Sequence, residues 1–464
     1  MNHNQELLND DKLHEECGVV GIWSMEAIQV SKMLYYGLNA LQHRGQESTG
    51  IVVCDTKGPI GNICSHKGMG LVSEVFHDEI LASLHGNIGI GHVRYSTTGK
   101  SCVENAQPIF MNYLKGTLAL AHNGNITNAG EIREQLRKQG AVFSGTTDSE
   151  VIAYRIAMER MESSSIEEAV IHVAHELKGG YALLILSPQK LVGVRDPLGL
   201  KPLCIGKKEN SYILASESTA ITAIGGEFIR DIQPGEIITI SENGIQSDYS
   251  LRQEKHAHCI FEYIYFAKLD SVMDGISIYD ARIRGGKALA RRYPVDADVV
   301  TGVPESGLTA AVGFAEESGI PFKLAFSKNS YVGRTFIKPS QEERMSAVQM
   351  KLSVLGSVVK DKRVVLIDDS IVRGTTMANL IQMMRKAGAK EVHVRISSPP
   401  FLYPCYYGTD VPDNKQLIAN ALSIEEIRKR IGADSLEYMN LEDLQQMAEG
   451  LPLCKACFDA QYPV

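Results

Sequence analysis

Residues 364–376, VVLIDDSIVRGTT, constrain the fold of this chain more than any other stretch. A short apolar run ends in two adjacent acids and a turn of small residues, and an amphipathic stretch (377–388) follows. That is the pattern of a buried strand, a loop and the start of a helix. Such a loop offers backbone N–H groups and the hydroxyls of Ser370, Thr375 and Thr376 to a phosphate at a helix N-terminus. Asp368 and Asp369 would repel that phosphate. They suit sugar hydroxyls and a magnesium ion beside it. Phosphate and diol recognition a few residues apart describes a site for a ribose 5-phosphate.

The rest of the chain places this motif in the second of two halves. The first half reads as short strands with inserted helices: 18–23, 88–95, 117–122, 181–187, 212–216 and 237–240. Ser165, with Glu168 three residues on, is a capping box that opens a helix stopping near Gly179-Gly180. In the second half helix (281–292), strand (298–302), helix (308–318), strand (363–367), helix and strand (391–396) alternate, which predicts a parallel sheet covered on both faces. The polar stretch 248–255 separates the halves. Residues 415–464 read as amphipathic helices ending in a cysteine pair. A chain of 464 residues has room for about two or three cores. With 44% hydrophobic and 22% charged residues it has ordinary globular composition, and a net charge of -8 argues against broad nucleic-acid binding. No apolar run is long enough to span a bilayer. The polar, acidic start MNHNQELLNDDKLHEE has neither a secretory nor a mitochondrial leader pattern, so a cytoplasmic location is expected. There the nine cysteines are expected to be reduced, metal-bound or catalytic.

Cys17 opens an apolar strand pattern, where a thiol is ordinarily a small core residue. Four polar clusters at element ends alter that reading: Gln42-His43-Arg44-Gly45-Gln46, Gly91-His92-Val93-Arg94-Tyr95, Ala121-His122-Asn123-Gly124-Asn125 and Thr147-Asp148-Ser149-Glu150. With these clusters, residues 17–248 resemble the class II glutamine amidotransferases, N-terminal-nucleophile hydrolases of αββα architecture. The resemblance implies that residues 1–16 are a propeptide and that Cys17, once first in the chain, attacks the glutamine amide. A free α-amine has a reference pKa of about 7.7–8.0 and can shuttle the proton; a peptide nitrogen cannot. The same resemblance assigns the oxyanion hole to the Asn123 side chain and the Gly124 N–H. It gives Arg94 the glutamine carboxylate, Asp148 the ammonium, and Arg44 and Gly45 the pocket lining.

In the second half VVLIDDSIVRGTT resembles the phosphoribosylpyrophosphate (PRPP) signature of type I phosphoribosyltransferases. Asp368, Asp369, Ser370, Arg373, Gly374, Thr375 and Thr376 then belong to the PRPP site. In 299–307, VVTGVPESG, the resemblance gives the turn to pyrophosphate and Ser306, with the two acids, to magnesium. Residues 328–335, KNSYVGRT, are similar to a loop that closes over PRPP, which brings in Lys328, Tyr331 and Arg334; Lys351 lies in a further family-like segment, MKLS. Taken together, the chain resembles the glutamine PRPP amidotransferase family. That resemblance implies transfer of glutamine nitrogen to C1 of PRPP, the committing step of purine synthesis, in a homotetramer inhibited by purine nucleotides. It also implies an ammonia channel formed when Arg334 and its neighbours fold over PRPP. Ser330, Lys268, Leu269 and Gln349 depart from the family pattern near the expected phosphate and nucleotide pockets.

Cys454 and Cys457 form a CxxC. Cys259 and Cys405 sit in segments similar to the cluster-ligand segments of the Bacillus-type branch, which implies a [4Fe–4S] cluster on four thiolates. Zinc is the alternative for four cysteines. The expected architecture is therefore mixed α/β and α+β: propeptide 1–16, an N-terminal αββα sandwich over 17–250, and a parallel-sheet phosphoribosyltransferase domain with a cysteine-bearing extension over 251–464. Two other functions remain open from sequence: the same amidotransferase head serving a different acceptor such as a sugar phosphate, and a catalytically silent PRPP or nucleotide sensor.

Overall fold

A computed structural model describes residues 17–26, 28–57, 62–95, 101–329, 352–409, 411 and 414–464. In the first half two antiparallel sheets pack face to face. The seven-stranded sheet runs, edge to edge, Glu227–Asp231, Cys204–Lys208, Ser211–Ala215, Gly18–Ser24, Ile88–Arg94, Ser48–Cys54 and Ile63–Met69. The six-stranded sheet runs Gly244–Asp248, Ile237–Ser241, Leu191–Arg195, Gly179–Leu186, Gly116–Ile126 and Ile109–Tyr113.

Period-two alternation explains why the strand Gly18–Ser24 is buried on both faces. Val20 and Ile22 pack with Leu34 and Leu38 of the helix Ser31–Ala40. Val19 and Trp23 face the other sheet, where they meet a core that includes Ala121, Ala182, Leu184 and Leu191. On the far side, Leu118, Leu120, Leu183 and Ile185 pack under the helices Asp148–Glu162 and Ile166–Glu176 through Ile152, Ile156, Val170 and Val173. Helix, sheet, sheet and helix thus form four layers, as expected.

The second half holds a four-stranded parallel sheet in the order Val299–Gly302, Arg363–Asp368, Glu391–Ile396, Ser435–Tyr438. Its central strand also alternates between two cores. Val365 and Ile367 face the helices Ile278–Arg292 and Ser306–Ser318, while Val364 and Leu366 face Thr375–Lys386 and Ile424–Ile431. The first two helices cross closely at glycine: a Cβ at Gly286 would overlap the Ala310 carbonyl, and one at Gly313 the Ile283 carbonyl.

Three sequence expectations need correction. The helix begun by Ser165 ends at Glu176, and Gly179-Gly180 instead open a strand. Ser165 does accept from the Glu168 N–H, but the Glu168 carboxylate turns to Ser164, so the box is not reciprocal. Asn123-Gly124 does not end its strand; the ladder against Gly179–Leu186 continues to Ile126. Gly124 has φ of +133°, and a Cβ there would overlap the Gly180 carbonyl, so glycine is what lets the two strands stay paired. The C-terminal stretch is not all helical, because Ser435–Tyr438 adds the fourth parallel strand. Four residues are too few for a period to declare itself in sequence.

Candidate active sites

Cys17 immediately precedes the central strand of the seven-stranded sheet and is buried. Its Sγ lies 3.5 Å from the Tyr95 carbonyl. Burial pushes the thiol up to about 11, opposed by the Tyr95 backbone and the Arg94 charge; Glu47 and Asp148 push it further up. A thiol in this state is protonated at neutral pH and needs a base to become a nucleophile.

The four clusters read from sequence do converge around it. Gly45 packs against the Val93–Arg94 backbone, where a Cβ would lie 2.6 Å from the Val93 carbonyl carbon. Arg94 ends the neighbouring strand and is buried, with its guanidinium 2.6 Å from Glu47. Asp148 opens a helix capped by Thr147. One of its carboxylate oxygens accepts the Ile126 N–H at 3.1 Å and the other accepts the Ser149 N–H at 2.8 Å, which fixes it beside the Asn123–Gly124 strand. That strand, Gly116–Ile126, packs across from Gly18–Ser24. The Asn123 amide is fully buried, and neither its Oδ1 nor its Nδ2 has a partner among the described residues.

Arg44 lies behind Cys17, inside the protein. It is fully buried, and its Nε donates to the Cys17 carbonyl at 3.1 Å. The rest of the guanidinium bonds Glu217 (2.6 Å) and, from the second half of the chain, Glu262 (2.5 and 3.0 Å). Glu217 also accepts from the Lys268 N–H and the Ser271 hydroxyl and lies 2.8 Å from His43 Nε2. Burial opposes its ionisation, but the charges of His43 and Arg44 override that and hold the carboxyl well below the usual carboxylate range. Glu217, Glu262 and Glu47 escaped the sequence reading. The first two lie 173 and 218 residues from Arg44, and no local pattern announces such pairing.

The acid pair ends the central parallel strand, the position where open α/β sheets take ligands. Asp368 and Asp369 are both buried. Ser306, at the start of its helix, donates to Asp368 at 3.4 Å, and Ser370 donates to Asp369 at 2.6 Å. The other Asp369 oxygen is buried with no partner among the described residues. Gly374, with φ of +85°, turns the chain into the helix Thr375–Lys386, so Thr375 and Thr376 stand in its first turn. Arg373 bonds Gln416, and Lys328 pairs with Glu305 at the surface. Lys268 reaches Thr219 and Asp270. Tyr331, Arg334 and Lys351, together with Ser330, Gln349 and residues 1–16, lie outside the described residues.

The four cysteines singled out from sequence share one apolar cavity. Cys259, Cys405, Cys454 and Cys457 line it with Phe261, Phe401 and the buried Lys201. The strand pair His258–Cys259 and Leu453–Cys454 sets two of them side by side. Burial raises Cys454 to about 12 and Cys457 well above the ordinary thiol value; in Cys457 the nearness of the other three adds to the rise. Among the described residues no group of three or more His, Cys, Asp or Glu is arranged to hold a single metal ion. The segment carrying Cys405 also reaches the first site. The Tyr406 carbonyl accepts from Asn125 Nδ2 at 2.9 Å, and a Cβ at Gly408 would lie 2.9 Å from the Gly124 carbonyl carbon. Among the described residues no helix is long and apolar enough to cross a membrane.

A buried thiol, an unpartnered buried amide on a strand packed across from the thiol's own, and an acid pair at the end of a parallel strand are the elements of an amidotransferase joined to a phosphoribosyl transferase. Comparison with known proteins agrees. Residues 92–223 match the glutamine amidotransferase domain and residues 278–397 the phosphoribosyl transferase domain. The amidophosphoribosyltransferase of Methanocaldococcus jannaschii is 50% identical, with 96% of this chain and 97% of that protein covered. That of Bacillus subtilis is 45% identical, over 97% and 94%. The solved structure of the B. subtilis glutamine PRPP amidotransferase, complexed with ADP and GMP, superposes with a TM-score of 0.89 at 44% identity, covering 96% of this chain and 97% of that one. The chain belongs to the amidophosphoribosyltransferase family.

The buried Arg44 cluster yields a stability prediction. Replacing Arg44 with Met removes the guanidinium shared by two buried carboxylates, Glu217 and Glu262, and is expected to cost about 3–5 kcal/mol. Because the Glu217 carboxyl is depressed in the folded state, its contribution is complete above the unfolded pKa of about 4.3 and is lost as pH falls below that value. Unfolding midpoints recorded from pH 7 to pH 3 should therefore fall less steeply in Glu217→Gln than in the parent.

Proposed function

We infer that this protein transfers the amide nitrogen of glutamine to C1 of PRPP, giving 5-phosphoribosylamine, glutamate and pyrophosphate, the first step of purine biosynthesis. The observation that carries the reading is the Asn123 amide, buried and unpartnered on a strand packed across from the Cys17 strand. An unmet buried amide costs about 1–3 kcal/mol for each group, and a site bears that cost where a ligand will meet it.

The mechanism begins with removal of residues 1–16. While Cys17 is joined to Glu16 its nitrogen is a peptide nitrogen, and burial keeps the thiol protonated. Once freed, the α-amine takes the thiol proton as sulfur attacks the glutamine side-chain carbonyl. Arg94 and Asp148 hold the carboxylate and ammonium of glutamine; Gly45 shapes the pocket and Arg44 fixes the Cys17 carbonyl beneath it. The Asn123 amide and the Gly124 N–H stabilise the oxyanion, each donor being worth on the order of 3 kcal/mol. The amine returns its proton to the departing nitrogen, and water then hydrolyses the thioester to glutamate. In the second half Asp368 and Asp369 hold the ribose hydroxyls, while the helix N-terminus with Ser370, Arg373, Gly374, Thr375 and Thr376 takes the 5-phosphate. Lys328, Tyr331, Arg334 and Lys351 complete the PRPP site, and ammonia displaces pyrophosphate from C1.

The oxygen donors Asp368, Asp369 and Ser306 fit magnesium, and the unpartnered Asp369 oxygen supplies an open ligand position. When bound, the ion offsets the charge of the departing pyrophosphate. Four thiols in one cavity fit a [4Fe–4S] cluster, which would staple the C-terminal segment to the core. Purine nucleotides, two of which accompany the B. subtilis structure, act as feedback inhibitors. The enzyme works in the cytoplasm as a homotetramer. No observation supports a silent sensor, since the buried thiol, the unpartnered amide and the acid pair are all present.

Cys17→Ala should abolish glutamine-dependent pyrophosphate release while retaining release driven by high ammonium at alkaline pH, because the acid-pair site is separate. Loss of both would contradict the assignment. Protein purified without oxygen should carry four irons and four acid-labile sulfides per chain, on the order of one cluster. Chelating the metal should lower the thermal midpoint. Stoichiometric zinc without sulfide would replace the cluster by the alternative ion.

A further inference from the structure

The thiol and its oxyanion donors stand on different sheets. The interface between those sheets is built from apolar side chains, which hold two layers together but give no direction along them. Amide hydrolysis needs Cys17 and Asn123 at a fixed separation, and a misplacement of about 1 Å can cost about 100-fold in rate.

His92 supplies a directional tie at this point. It pairs with Val19, two residues along the strand from Cys17. Ile88 and Ile90 of the same strand face the other sheet, so alternation points His92 the same way. The ring is fully buried, and its Nε2 lies 3.0 Å from the His122 carbonyl oxygen on the six-stranded sheet. A carbonyl only accepts, so Nε2 carries a proton and donates it. Burial, with the Arg94 and His122 charges, holds this imidazole down at about 3, so it stays neutral through the working range.

The bonded carbonyl belongs to the His122–Asn123 peptide, the unit from which the Asn123 side chain springs. On that side the ladder has run out, because the strand Ile109–Tyr113 pairs no further than Leu120. Gln107 takes its place: its Oε1 accepts the His122 N–H at 2.7 Å, and its Nε2 donates to the Ser149 hydroxyl at 3.0 Å and, at a longer 3.4 Å, to the same His122 carbonyl. Gln107 steadies the peptide within its own sheet, and His92 reaches it from the sheet of the nucleophile.

We propose that His92 is a positioning residue for amide hydrolysis, its Nε2–H fixing the His122–Asn123 peptide against the Cys17-bearing sheet and so setting the oxyanion donors relative to the thiol. The proposal rests on the reading of Asn123 as an oxyanion donor.

The test compares His92→Gln, whose amide can reach the His122 carbonyl, with His92→Asn, which is polar but too short, and runs Asn123→Ala beside them in the full-length processed enzyme. His92→Asn should lower kcat for glutamine hydrolysis about 10- to 100-fold. Its KM for glutamine and its ammonia-dependent pyrophosphate release should stay within about 3-fold of the parent. Hydrogen exchange at amides 123–126 should rise in this variant. His92→Gln should recover most of the kcat and keep the parent pH–rate profile. The proposal is overturned if the two substitutions behave alike at equal thermal stability, if both activities fall together, or if His92→Gln loses a limb of the pH profile, which would make the ring an acid–base group. An unimpaired Asn123→Ala removes the oxyanion reading itself, whereas an impaired Asn123→Ala beside an active His92→Asn removes the His92 proposal alone.

Discussion

One buried guanidinium joins the two halves of this protein at Cys17. Arg44 holds the Cys17 carbonyl, Glu217 of its own half and Glu262 of the other. Two carboxylates without their cation would be intolerable in such a place, so the two halves cannot separate there without exposing or neutralising charge. Glu262 begins a single π-helical turn that ends at Phe266. The buried Arg282 caps the carbonyls of Tyr263, Tyr265 and Ala267 around this turn and feels the charge of Asp369. One short stretch of backbone thus lies between the arginine behind the thiol and the arginine behind the acid pair.

The cysteine cavity makes a second junction. Cys259 and Cys454 come together through two short parallel strands, and the segment after Cys405 lays Tyr406 and Gly408 on the Gly124–Asn125 strand. Burial, with the nearness of the other thiols, keeps Cys454 and Cys457 protonated, and a metal would exchange those protons for bonds to sulfur. A cluster here would order the C-terminal segment that leans on the Gly116–Ile126 strand.

Much of this was legible in the sequence wherever a function is written in adjacent residues. VVLIDDSIVRGTT gave strand, acid pair and helix start within two residues, and the αββα order followed from the resemblance to the class II glutamine amidotransferases. What escaped is long-range or depends on context. The 121–125 cluster reads as a strand end, but Gly124, with no Cβ to meet the Gly180 carbonyl, allows the strand to run on. The partners of Arg44 are carboxylates far along the chain, which no local pattern announces. His92 carried no signal beyond its place in GHVRY, since its bond exists only once two sheets are stacked.

The central claim is that ammonia made at Cys17 is used within the same molecule, before bulk water can protonate it. Amide-15N glutamine supplied to the processed enzyme with PRPP and a large excess of unlabelled ammonium tests this directly. The account predicts that glutamine-driven product carries 15N undiluted by the ammonium pool. Product whose label matches the mixed pool, with 15N accumulating as free ammonium, would contradict it.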